Sequence, residues 1–297
     1  LFKMTALAIR STGATNAVSQ VHGDVTLDMW ASIWPNIADG KHPLSAVTNG
    51  IHVPTWIAPD MARLFERYFG TDWGDRHDEV DVWNEISMIP DEELWAAREA
   101  LRSYLIAFIR ERARELWTHK QVTAARVAAA GTLLDPAALT IGYARRFTDY
   151  KRPELIFRNP VRLASILTAL RRPVQIVFAG KAHPADHSGK RHLQDIFNRA
   201  IDPAFGGRIA FVEDYDFHVA HFLVQGCDVW LNTPRKPFEA CGTSGMKASI
   251  NGTLHLSTGD GWWAEGHTGS NGWLIDGGVA ADDPAAVDAA DAEALYR

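Results

Sequence analysis

The stretch EACGTSGMKASING, residues 239–252, sets a single lysine, Lys247, among small uncharged residues. Gly242-Thr243-Ser244-Gly245 just before it has the composition of a helix-entry turn, whose backbone N–H groups and hydroxyls can cradle an anion. Other cations stand upstream: Arg145, Arg146, Lys151 and Arg152 in one run, Lys181 shortly before His183, and Arg235-Lys236. A run of like charge is ordinarily a solvated, salt-bridged face. Here the chain has 30 Lys and Arg against 36 Asp and Glu, a net charge of −6. Clustered cations in an acidic chain fit a local anion site, and the planar fork of arginine suits phosphate oxygens.

The common phosphate fingerprints narrow the ligand. No G-x-x-x-x-G-K-[ST] can be aligned on this stretch, and GDGWWAEG, residues 259–266, departs from G-x-G-x-x-G. A lysine one turn into a helix beside a phosphate cradle is the combination pyridoxal phosphate requires. The amine bonds its aldehyde and the helix start holds its 5′-phosphate. The same lysine also reads as a solvent charge after a glycine turn, and pattern alone leaves both readings open.

The elements that would position these residues lie in the second half of the chain. LTIGYA, VQIVFAG, RIAFVED and DVWLNTP read as strands, with helices between them at about 153–170, 191–201 and 217–226. Apolar strands without alternation, separated by helices, predict a parallel α/β sheet covered on both faces. In such sheets ligands bind outside the carboxyl ends of the strands, where the three cationic loops begin. Upstream, residues 91–117 place Leu94, Ala97, Leu101, Leu105, Phe108, Ile109 and Leu116 near helical spacing. Asp91, Glu92 and Glu93 stand at the start, where the dipole favours acids. The turn-rich residues 35–56 read as loop.

A chain of 297 residues, 46% hydrophobic, can bury a full core. The negative charge offers no footprint for nucleic acid, and no run is long enough for a membrane helix. Two cysteines, Cys227 and Cys241, make neither a disulfide framework nor a zinc cage, which fits a cytoplasmic protein. The chain opens at Leu1 and stops inside a helical pattern, which reads as a stretch of a longer polypeptide.

Several blocks, in order, resemble the α-glucan (glycogen, starch and maltodextrin) phosphorylases: AVTNGIHVPTW, GYARRFTDYKRPELI, FAGKAHPAD, VEDYD, EACGTSGMKASING and GDGWWAEG. The forms GTSGMKA and DGWW are similar to the shorter bacterial and archaeal branch. The resemblance implies a GT-B type glycosyltransferase fold, mainly its carboxyl-terminal Rossmann-like domain, incomplete at both ends. Residues 1–49 would be a remnant of the first domain, and 50–297 the cofactor domain with a helical insertion at about 78–132. It implies transfer of the terminal glucosyl unit of an α-1,4-glucan to inorganic phosphate, giving glucose 1-phosphate with retention, in a protein that is commonly dimeric. Alone, this stretch would be inactive. The alternatives are a sugar-nucleotide glucosyltransferase of the same fold, or a non-catalytic glucan-binding relic.

By the same resemblance Lys247 carries pyridoxal phosphate. Gly242, Thr243 and Ser244, with Arg145 and Lys151, would hold its phosphate, and Tyr215 would contact it. Arg145 replaces a lysine common in the family. Arg146 would clamp the substrate phosphate, helped by Tyr150, while Asn49, Glu239 and Cys241 would line the glucosyl unit. His183, His187 and His192 match no zinc spacing and read as structural. Trp262-Trp263 are nominated for stacking on sugar.

Overall fold

The computed structural model describes residues 3–34, 44–119, 123, 130–279 and 283–297. Helix α1 (Met4–Ser11), strand β1 (Thr15–Ala17), helix α2 (Gln20–Trp30) and strand β2 (Leu44–Ala46) come first. β1 and β2 pair in parallel as a small sheet of their own. Helices α3 (Val53–Trp56), α4 (Pro59–Phe69), α5 (Val80–Asn84) and α6 (Asp91–His119) follow. The turn-rich segment predicted as loop thus contains β2 and α3, while its residues 35–43 lie outside the described residues.

The remainder alternates strand and helix: β3 (Leu139–Ala144), α7 (Pro160–Leu167), β4 (Val174–Ala179), α8 (His187–Ala200), β5 (Ile209–Val212), α9 (Phe217–Gly226) and β6 (Val229–Asn232). It closes with α10 (Thr243–Ser249), β7 (Leu254–Thr258), α11 (Trp263–Gly266), β8 (Gly272–Ile275) and α12 (Pro284–Leu295). The six strands form one parallel sheet in the order β5-β4-β3-β6-β7-β8. This is the doubly wound order, in which the winding direction reverses between β3 and β6. A crevice opens at that switch point, outside the strands' carboxyl ends. β7 and β8 were not foreseen, because LHLST and GWLI carry polar residues and glycine where a buried strand is usually aliphatic.

The predicted double coverage is visible residue by residue. On β4, Ile176 and Phe178 face one core with Tyr143, Phe211, Leu163 and Ile196, while Val177 and Ala179 face another. That second core is filled from α6 by Leu105, Ile106 and Ile109 and from α9 by Leu223 and Val224. Period-two alternation with both faces apolar produces the unbroken hydrophobic runs of the sequence. Phe108 stacks on Phe222 at 4.1 Å, and Leu101 joins a further cluster with α4 and α5. The side chain of Leu116 lies outside the described residues, as do residues 120–122 and 124–129 of the expected insertion.

The helix expected at about 153–170 is shorter than the pattern suggested. Pro153 and Pro160 both lack an N–H, so a single 3₁₀ turn at Leu155–Phe157 precedes α7. α7 begins where the Asn159 side chain accepts from Arg162 N–H, with Pro160 in its first turn. α8 starts earlier than expected because Asp186 caps it through Gly189 N–H at 2.8 Å. α9 is capped by Asp216 through Val219 N–H, and that bond holds the Asp216 carboxyl below its usual range.

Helix α6 braces the sheet from below through an arginine. Buried Arg98 donates through Nη1 to the carbonyls of Gln225 at 2.6 Å and Asn251 at 2.7 Å, and through Nη2 to that of Cys227. These carbonyls cluster at the carboxyl ends of α9 and α10, where the dipoles favour a cation. Asp228 stands 3.6 Å away. Arg98→Met removes the charge and strands several buried acceptors. It should lower the unfolding free energy by about 3–5 kcal/mol, read from the urea midpoint; a loss under about 1 kcal/mol, the worth of a surface ion pair, contradicts this role.

Candidate active site

Strand β3 leads straight into Arg145, which is 7% exposed. Its Nη2 donates to Glu239 Oε2 at 3.1 Å, while Nε and Nη1 are buried without a hydrogen-bond partner among the described residues. A 3₁₀ turn, Asp149–Lys151, then brings back Lys151, whose Nζ meets the same carboxylate oxygen. Burial pushes the Lys151 amine down to about 8, and the charge of Arg145 adds to the shift. Half-buried Tyr150 lies under that amine, 4.7 Å from ring centroid to Nζ. Its phenol is raised by burial, then by Glu239, with the charges of Arg145 and Arg146 in opposition. Arg146 itself is exposed at the lip of the crevice.

The sequence reading grouped Arg152 and Arg235 with these cations, and the structure separates them. Arg152 takes a left-handed backbone, φ 47° and ψ 56°, that turns it away from Lys151. It donates to Thr233 O at 2.8 Å and pairs with Asp288 at 2.9 Å and Asp291 at 2.7 Å on α12. Arg235 reaches the same Asp288 at 2.7 Å. Acids on α12, which the cation-first reading did not weigh, neutralise both. Lys181 and His183 are exposed on the loop after β4. The turn carrying Lys151 is pinned at its carbonyl, which accepts from Tyr143 Oη and Thr233 Oγ1, each at 2.9 Å.

The opposite wall is the loop from β6 into α10. Glu239 N–H donates to Asp260 Oδ2 at 2.8 Å, and Cys241 O accepts from Trp262 N–H at 2.9 Å. Between them, Ala240 O accepts from Ser19 Oγ at 2.6 Å. Gly242 caps α10 with φ 87°, a left-handed turn that a side chain would strain. The first-turn N–H groups that follow, those of Thr243 and Ser244 included, have no partner within the helix. Ser244 Oγ accepts from Trp230 Nε1 at 3.2 Å, which ties its hydroxyl to the core. Asn49 is exposed, and its N–H donates to Val18 O at 3.0 Å; Cys241 is buried. Burial pushes the Cys241 thiol up.

Lys247 lies half-buried on α10 with Nζ 4.1 Å from the centroid of Trp56. Burial lowers its pKa, and among the described residues it has no carboxylate partner. A lysine kept from salt bridges and partly desolvated is suited to act as a nucleophile. Trp56 was missed by the sequence reading, although it ends the quoted block HVPTW. Tyr215 packs on the same cluster as Trp56 and Ala248, and burial raises its phenol.

Of the two nominated tryptophans, Trp263 serves a different purpose. Trp263 is 1% exposed and packs edge-on against His255 at 4.6 Å, with Trp262 at 5.2 Å. Trp263 is therefore core, and no face of it is open to a sugar. His255, also missed, lines a cavity with Arg145, Glu239 and Asp260. Burial drives it down to about 3, so it is neutral, and its Nδ1 has no partner among the described residues. His192 bridges Asp149 at 2.8 Å and Glu154. Among the described residues no group of His, Cys, Asp and Glu is placed to hold a metal.

A buried arginine with two N–H-bearing atoms unpaired, a buried lysine beside it and a glycine-led helix start together fit a phosphate group. The unpaired amine of Lys247 on the same helix fits an aldehyde, so the residues present suit pyridoxal phosphate.

The family model for carbohydrate phosphorylases matches residues 1–268. The chain is 50% identical to a glycogen phosphorylase of Aquifex aeolicus, over 100% of this chain and 42% of that protein. It is 41% identical to a glycogen phosphorylase of Mycobacterium tuberculosis, over 99% of this chain and 34% of that protein. It is 40% identical to a maltodextrin phosphorylase of Thermococcus litoralis, over 100% of this chain and 35% of that protein. The chain thus spans between 34% and 42% of the length of these relatives.

The depressed Lys151 sets a pH dependence. Its folded value of about 8 lies below the ordinary lysine value, so its charge is present at pH 7 and lost as pH rises through 8. Sulfate, whose own charge is constant there, should bind about tenfold more weakly at pH 9 than at pH 7. Lys151→Arg should hold that ratio within about twofold, because guanidinium stays charged. Titration calorimetry giving equal sulfate affinity at both pH values in the unsubstituted chain would refute this.

Proposed function

The chain belongs to the carbohydrate phosphorylase family, and on that footing we propose that it supplies the pyridoxal phosphate and phosphate site of an α-1,4-glucan phosphorylase. The reaction is transfer of the terminal glucosyl unit of a glycogen or maltodextrin chain to inorganic phosphate, giving glucose 1-phosphate with retained configuration. The observation that carries this reading is the pair of buried cations at the sheet's switch point, one with unpaired N–H groups, facing the helix that bears Lys247.

Each residue then has a task. Lys247 bonds the cofactor through its amine, over the indole of Trp56. Thr243 and Ser244 N–H groups, with Arg145 and Lys151, hold the cofactor's phosphate, and Tyr215 bounds its ring. When bound, the cofactor supplies a second phosphate that exchanges a proton with the substrate phosphate. Two phosphates side by side repel strongly in a water-poor site, and buried cations are the offset this demands. Arg146 at the lip, with Tyr150 in the turn beyond it, receives the substrate phosphate.

Glu239 accepts glucosyl hydroxyls, since a carboxylate takes two donors and such contacts tighten as the ring flattens toward an oxocarbenium ion. Asn49 adds a contact from the segment after β2. Residues 1–49 belong with a first lobe and 50–297 with the cofactor lobe, in a cytoplasmic protein.

Incubation with pyridoxal phosphate, borohydride reduction and peptide mapping tests the assignment. We expect a pyridoxyl group on Lys247 and none in Lys247→Ala. Label distributed over exposed lysines such as Lys3 or Lys190, with Lys247 unmodified at saturation, would end this reading.

A further inference from the structure

We propose that Asp260 is the positioning residue of Glu239: its carboxylate fixes the Glu239 main chain so that the side chain stands between Arg145 and Lys151. The inference rests on the reading of Glu239 as the acceptor of glucosyl hydroxyls.

The geometry is specific. Asp260 is 2% exposed. Its Oδ2 accepts from Glu239 N–H at 2.8 Å and its Oδ1 from Gly261 N–H at 2.9 Å. Among the described residues no cation lies within ion-pairing distance of it, and these two amides are what its oxygens hold. Trp262 N–H then bonds Cys241 O, two residues beyond Glu239. The Asp-Gly-Trp turn therefore lies along the Glu239–Cys241 backbone and grips it at both ends. Gly261 permits the approach: it holds φ 55°, and a Cβ there would stand 2.3 Å from Cys241 O.

A buried carboxylate without a cation is a poor choice for mere packing. Its desolvation is offset only by what it holds. What Asp260 holds is the amide of Glu239, the acid that both Arg145 and Lys151 contact. A carboxamide of the same shape could keep one acceptor but would present an N–H to the second amide.

The charged and titratable groups around Asp260 are Glu239, Cys241 and Lys236 from the loop after β6, Arg145 from the end of β3 and His255 from β7. Burial raises the Asp260 carboxyl to about 6, whereas His255 lies at about 3. The carboxylate grip is thus present above that value and weakens to a neutral hydrogen bond as pH falls through it.

Two measurements test the assignment. In the unsubstituted chain, the amide protons of Glu239 and Gly261 should titrate together by NMR, with a midpoint near 6. In Asp260→Asn neither should. A Glu239 amide shift that stays flat from about pH 5 to 7 overturns the proposal without any variant having to fold.

The second measurement is glucose 1-phosphate affinity by calorimetry, which Asp260→Asn should weaken roughly tenfold, the worth of one charge-assisted hydrogen bond. Borohydride labelling of Lys247 should stay unchanged. Unaltered glucose 1-phosphate affinity alongside normal Lys247 labelling overturns the role of Asp260. Absence of Lys247 label in both proteins instead removes the functional reading on which it stands.

Discussion

Arg145 and Lys151 share one carboxylate oxygen of Glu239 in a site that excludes most water, and the surrounding structure is organised around holding that triple together. Neither cation could be buried alone. An isolated buried charge costs several kcal/mol, and one carboxylate between two cations leaves a net positive charge that still asks for an anion. The downward pressure on Lys151 expresses this: burial and Arg145 both oppose its proton, and Glu239 only partly restores it. A site with surplus positive charge and unpaired N–H groups suits an anion.

Such a triple needs rigid walls, and each wall is fixed by groups outside it. Arg152 and Arg235 anchor to Asp288, which ties the loops after β3 and β6 to α12. Tyr143 and Thr233 hold the carbonyl of Lys151 from inside the sheet. On the far side, Asp260 and Trp262 clamp the chain that carries Glu239 and Cys241. Arg98 gathers carbonyls at the carboxyl ends of α9 and α10, so the helix bearing Lys247 is secured from beneath by a cation it never presents to a ligand.

Much of this was legible in the sequence, for reasons that differ by residue. β3 to β6 were visible because their two buried faces force continuous aliphatic and aromatic runs. The crevice was located from the rule that ligands sit at strand ends, which is topological. What the sequence hid depends on side-chain direction. Arg152 and Lys151 are neighbours, yet a left-handed backbone at Arg152 sends them to opposite sides, and charge counting cannot see that. β7 was obscured by His255, Ser257 and Thr258, buried polar residues, of which His255 and Thr258 find partners at Asn232 and the Pro234 carbonyl. Trp263, beside the partly exposed Trp262, looked like part of a sugar platform because exposed and buried tryptophans have the same letter. Asp260 went unnoticed beside them, since an acid after glycine ordinarily marks a solvent turn.

The bond from Ser19 to Ala240 has a mechanical meaning. Ser19 is fully buried and also caps α2 by accepting from His22 N–H, so its hydroxyl is committed at both its proton and its lone pair. Glu265 adds a second strap, accepting from Gln20 N–H and Thr48 Oγ1. The small β1–β2 sheet is thereby coupled to the peptide between Glu239 and Cys241, like a lever resting on the loop. Any displacement of that sheet must break the hydroxyl bond or drag Ala240 with it, so its posture is transmitted to the carboxylate between the two cations.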